Sequence, residues 1–168
     1  MYTQVTLAAI FPGLLAFAAF SDLFTYRIPN WLSVSLATAF LALAPVAGLS
    51  AAAIAHHAGC SLTVLLAGLI FFSRGWIGGG DAKLAAVVAL WLGWNSLYAF
   101  LIQSAIAGGV LTLAIIILRT APFAVVFPSV LSKLRSPGEG VPYGMSIAVS
   151  AIAVYTQSPW MAAFLLPR

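Results

Sequence analysis

A chain of 168 residues is long enough for one domain of ordinary size. Its residues are 63% hydrophobic and 6% charged, against roughly 25% charged in a soluble domain. So little charge cannot cover a water-facing surface, and the seven Lys and Arg behind the net charge of +4 are no nucleic-acid footprint: the composition is that of a membrane protein.

Apolar runs divided by polar or Gly/Pro punctuation predict six spans, an all-α polytopic membrane helix bundle. The first covers residues 4–21. No Lys or Arg precedes Arg27, so this run lacks the charged start of a signal peptide and reads as a retained helix. Asp22 closes it, in SDLFTYRIPN. The second span, residues 31–49, follows Pro29-Asn30, a turn in which Asn30 reads as the N-cap. The third covers residues 58–73. His56, His57 and Cys60, in HHAGC at its start, could suggest a metal site, but they fall at the opposite face from the aspartates without further ligands. No metal and no cofactor is expected. Cys60 is the one cysteine, which excludes an internal disulfide and a zinc site built from several cysteines.

Gly78-Gly79-Gly80-Asp81 opens the fourth span, residues 82–94, with Lys83 at its edge; the fifth covers residues 97–118. Merged, the two would make a helix of about 55 Å at 1.5 Å per residue, against a bilayer core of about 30 Å. Gly93-Trp94-Asn95-Ser96 therefore reads as a hairpin turn. A loop over residues 119–140 follows, with three prolines and three basic residues, the expected mobile part. Residues 141–157 form the sixth span, and WMAAFLLPR beyond Pro159 either extends it or lies at the interface. Trp31, Trp94 and Trp160 near span ends suit an aromatic belt.

Charge sets the expected orientation. Arg27, Arg74, Lys83, Arg119, Lys133 and Arg135 fall in or beside loops on one side of this layout, and Arg168 alone falls on the other. The positive-inside rule then puts the N-terminus outside. Asp22 and Asp81 are separated by two crossings, so both lie at the cytoplasmic boundary.

Each aspartate also has an ordinary structural reading: Asp81 as a cap of the fourth helix, Asp22 as a solvated residue past a helix end. Only three acidic residues exist, and the third, Glu139, reads as a loop acid. Two on one face favour a function. A cap needs one Asp, Ser or Asn, whereas three preceding glycines open the backbone to a close approach. The phosphate-loop pattern GxxxxGK[ST] is absent, and no strand precedes the glycines. Two nearby carboxylates share a proton, so one can deprotonate a water while the other protonates a carbonyl oxygen. That is metal-free peptide hydrolysis.

Gly78-Gly79-Gly80-Asp81 matches the GxGD signature of membrane aspartyl proteases, and Ala82-Lys83-Leu84 extends it to the GxGDxKL form of type IV prepilin peptidases. SDLFTYRIPN and VPYGMSIA (residues 141–148) resemble that family's first and late motifs, in the family's order. Signal-peptide-peptidase and presenilin-like enzymes are rivals, but their late Pro-Ala-Leu motif is missing. The resemblance implies an Asp22/Asp81 catalytic pair in one integral-membrane peptidase domain over residues 1–168. It implies a basic prepilin leader as substrate, cut after a glycine at the cytoplasmic face of the bacterial inner membrane. Larger members also N-methylate through a domain with paired CxxC motifs; this chain looks like the short form of Flp/Tad-type pili. For substrate binding the candidates are Gly78, Gly79, Gly80, Lys83, Tyr143 and Gly144; Lys83 reads first as a snorkelling cytoplasmic anchor and Pro142 as the start of a helix. The expected partners are the leader peptide and membrane lipid, not nucleic acid. Two alternatives from other classes are a small proton-coupled transporter and a non-catalytic subunit of a pilus or secretion assembly.

Overall fold

The computed structural model describes residues 2–120, 134 and 140–158. Among them are five helices and no strand: α1 (Tyr2–Thr25), α2 (Asn30–Val46), α3 (Ala51–Ser73), α4 (Gly79–Thr120) and α5 (Tyr143–Tyr155). The chain is an all-helical membrane bundle, though its helices divide differently from the six expected spans. The stretches expected as spans four and five form one 42-residue element. Three helices (α1, α3 and α4) are long and apolar enough to cross a bilayer. With 17 and 13 residues, α2 and α5 reach only about 26 Å and 20 Å.

A straight α4 would run about 63 Å. It does not run straight, because Gly93 breaks it with φ 65° and ψ −178°, a region open essentially to glycine alone. Asp81 and Ala85 before the break line one cavity with Ser104, Ala105 and Gly108 after it. The two arms therefore lie side by side, and the expected hairpin is present at Gly93. His57 of α3 fits the bend: its imidazole fills the space a Gly93 side chain would need, and its Nδ1 is hydrogen-bonded to the Leu90 carbonyl at 2.8 Å. His57 thus serves the turn, and among the described residues no group of three or more metal-ligating side chains occurs.

The first arm of α4 is the central helix, buried at Leu84 and from Ala86 to Leu92. α3 and α5 both pack on α4, and α5 also packs on α1. Phe11 of α1 stacks on Trp91, with ring centroids 4.7 Å apart, and meets Tyr155 at 4.8 Å. The buried Trp91 indole donates to the Leu36 carbonyl and the Tyr155 hydroxyl to the Ala8 carbonyl, so both polar handles are satisfied. At Gly68 the backbones of α3 and α4 come close enough that a Cβ would stand 3.0 Å from that of Ala82; small residues allow such packing between membrane helices. Large apolar side chains including Val34, Leu41, Ile106 and Val110 face outward, as a lipid-covered surface requires.

Several helix ends differ from expectation, each for a local reason. α1 continues through Asp22 to Thr25, because Tyr26 takes a left-handed conformation (φ 55°) and ends the helix there. The Ser21 and Thr25 hydroxyls tie off the turn by donating to the Arg27 carbonyl. α3 starts seven residues before the expected 58, where the Ser50 hydroxyl caps it by accepting from Ala53 N–H. Asn30 does not cap α2: it is the first helical residue, and its Oδ1 accepts a 3.0 Å hydrogen bond from Lys83 Nζ. Most of the 119–140 loop, Glu139, Trp160 and the segment after Pro159 lie outside the described residues.

Candidate active site

The C-terminal ends of α1 and α3 and the N-terminal ends of α2, α4 and α5 converge on one open cleft of about 1010 Å³. Its walls come from residues 21–30, 75–81 and 140–143, the three stretches singled out as motifs. The four described basic residues, Arg27, Arg74, Lys83 and Arg119, all belong to this end of the bundle. Arg27 lines the cleft, Arg74 sits 5.9 Å over the Trp76 ring, and Arg119 donates to the Leu134 and Gly140 carbonyls.

Asp22 and Asp81 both line this cleft. Asp22, in the last turn of α1, is only 5% exposed. Its Oδ2 accepts from Met145 N–H at 3.2 Å, with Gly144 N–H as a second backbone donor. Both amides belong to the first turn of α5, where a helix presents N–H groups and the positive end of its dipole to an anion; Met145 N–H is shared with the Pro142 carbonyl at 3.2 Å. The approach requires glycine at 144: a Cβ there would stand 2.8 Å from Asp22 Oδ2 and 2.6 Å from Ile28 Cδ1.

Asp81 is held in a related way. It is the third residue of α4, and its carboxylate accepts from the N–H of Gly78, the residue before the helix. This resembles the return half of a capping box rather than the cap weighed for Asp81, which would precede the helix and accept from its first turn. A Cβ on Gly78 would stand 2.8 Å from Asp81 Oδ2. A Cβ on Gly80 would stand 3.3 Å from Ile28 Cβ, and one on Gly79 would stand 3.3 Å from the Phe72 ring. Ile28, from the Ile-Pro-Asn motif, thus wedges between Gly80 and Gly144 and separates the helix starts that hold the two acids.

Among the residues expected to bind substrate, Gly78, Gly79, Gly80 and Tyr143 line the cleft. Gly144 lies behind Asp22 and Lys83 lies outside on Asn30, each one contact removed. Sequence reasoning missed the amide donors of Gly144 and Met145. Pro142, a helix-start signal directly before them, could have marked that end as a seat for a carboxylate.

Two carboxylates lining one cleft at the mouth of a membrane helix bundle form an arrangement suited to acid–base hydrolysis. The chain belongs to the type IV leader peptidase family, whose model matches residues 9–113, more than half of the sequence and including both aspartates. No curated protein and no solved structure matches it. The protein is therefore a membrane peptidase of the leader-peptidase type.

Proposed function

We propose that this protein is an aspartyl endopeptidase in which Asp22 and Asp81 together activate water to remove the basic leader of Flp/Tad-type prepilins. The observation that supports the reading is that Asp22 and Asp81 line one cleft. One carboxylate, ionised, takes a proton from water as the hydroxyl oxygen bonds to the scissile carbonyl carbon. The other, protonated, gives its proton to the carbonyl oxygen. Collapse of the tetrahedral intermediate breaks the C–N bond, and the amine leaves with a proton from the pair. The cleft opens beside Gly78, Gly79 and Gly80, where an extended backbone can approach, and Tyr143 borders its path. Lys83 fixes Asn30 at the rim, and Gly144 fixes Asp22.

In this reading residues 1–168 are one peptidase domain in the bacterial inner membrane, with the N-terminus outside and the cleft facing the cytoplasm. The basic residues gathered at the cleft end support that orientation. Lipid surrounds the bundle, and the substrate is the leader peptide. A proton-coupled transporter would need acids near the bilayer midplane, whereas both aspartates sit at helix ends.

Co-expression with a short Flp/Tad-type prepilin tests the assignment by mass spectrometry. The expected product lacks its leader and carries an unmethylated N-terminus. A prepilin left at full length beside well-expressed enzyme contradicts it.

A further inference from the structure

The cleft continues past Asp81. A second cavity of about 210 Å³ opens there, between the two arms of α4 and the start of α5. Ile77, Asp81 and Tyr143 belong to the walls of both spaces. A peptide lying in the cleft with its scissile bond at Asp81 therefore passes the mouth of this cavity. At roughly 30 Å³ per liquid water, the space equals about seven waters. That accommodates one large side chain and is too small for a further stretch of backbone.

Ala85, Ser104 and Ile147 close the cavity, whose lining is almost wholly apolar. Ser104, Ser146, Tyr143 and Asp81 are among its walls but add almost no polar surface to the space. An ionised side chain would be unpaired in such a lining, which restricts the occupant to an apolar one.

We propose that this cavity is the subsite for the apolar side chain of a residue flanking the scissile bond, with Ser104 and Ile147 setting the size it accepts. The inference rests on the peptidase reading above and adds to it a site of specificity. In an apolar pocket a single methylene changes kcat/KM by about 10- to 200-fold, so filling or enlarging the cavity shifts substrate preference.

The test uses the full chain in phosphatidylethanolamine/phosphatidylglycerol vesicles and leader peptides with Ala, Leu or Phe at each flanking position in turn. Ser104→Leu fills the cavity and lowers the Phe-to-Ala ratio of kcat/KM by about tenfold or more at one of those positions. Ile147→Ala enlarges it and moves the same ratio the other way, and carries the test alone if Ser104→Leu does not fold. A ratio that stays within about twofold in every folded variant, at both positions, overturns the proposal; a lipid acyl chain in the cavity gives that result. Asp22→Asn and Asp81→Asn, assayed alongside, separate the two levels. Cleavage that survives in either contradicts the dyad, whereas its loss there with an unmoved ratio contradicts the subsite alone.

Discussion

A methyl group at position 144 would press on Asp22 Oδ2 and Cγ, at 2.8 and 2.9 Å, and on the tip of Ile28. All three are side-chain atoms able to move, so the bundle can absorb the change while the carboxylate cannot keep its place. Gly144→Ala is expected to lower kcat about 100-fold, the scale set by a misplacement of about 1 Å, and to reduce stability by about 1–3 kcal/mol. Gly78→Ala touches only the Asp81 carboxylate, so a comparable loss of rate should accompany about 1 kcal/mol or less of destabilisation. Single-turnover rates and thermal melting of the detergent-solubilised variants separate the two quantities. The pair also sets the pH dependence. Cleavage falls in acid, when both carboxyls are protonated and no base remains, and in alkali, when both are ionised and no acid remains. The profile of kcat/KM should be bell-shaped, its limbs belonging to the pair, and a rate that climbs steadily with pH would contradict shared protonation.

At the level of elements, Gly93 decides whether 42 apolar-rich residues form an overlong rod or a hairpin. Gly93→Ala would place a Cβ 2.8 Å from the His57 ring and force a side chain into φ 65°; backbone strain of this kind alone costs about 1–3 kcal/mol. Gly109 lies on the second arm with open space where a methyl group would stand, nothing being within 4 Å, and Gly109→Ala should instead gain about 0.5–1 kcal/mol from helix propensity. Unfolding of both variants in mixed micelles checks the contrast. The hairpin was legible in the sequence because two apolar runs outgrew the membrane. The start of α3 was not, since the Ala-rich stretch after Ser50 reads as punctuation once His56 and His57 interrupt it. Nor was the end of α1: Ser21 and Asp22 look like the close of an apolar run, yet the helix carries on until Tyr26 turns left-handed. The residues that line the cleft were legible as two aspartates with their glycines. The amides that hold Asp22 were not, because Met145 lies 123 positions away and backbone donors leave no trace in residue type.

For the whole molecule, the proposed orientation follows from charge. Arg27, Arg74, Lys83 and Arg119 gather at the cleft end, and Gly48 belongs to the turn between α2 and α3, at the other end of those helices. In a Cys60→Ser background, Gly48→Cys should react with an impermeant maleimide added outside intact cells. Gly75→Cys, at the cleft, should react only after permeabilisation. The reverse pattern would turn the molecule over and move the proposed cleavage to the other face. Composition announced the membrane because lipid replaces the polar coat that soluble proteins carry; which helices meet depended on packing at Phe11, Trp91 and Tyr155, which no periodicity reveals.

The central claim is that Asp22 and Asp81 act as one unit, and the most direct measurement is the cleavage rate of a prepilin peptide by Asp22→Asn, Asp81→Asn and the double variant. Residues acting together give strongly non-additive losses: each single change should remove cleavage by about 1,000-fold or more, and the double change should be scarcely worse. Substantial cleavage by either single variant, or losses that multiply in the double, would contradict the pair.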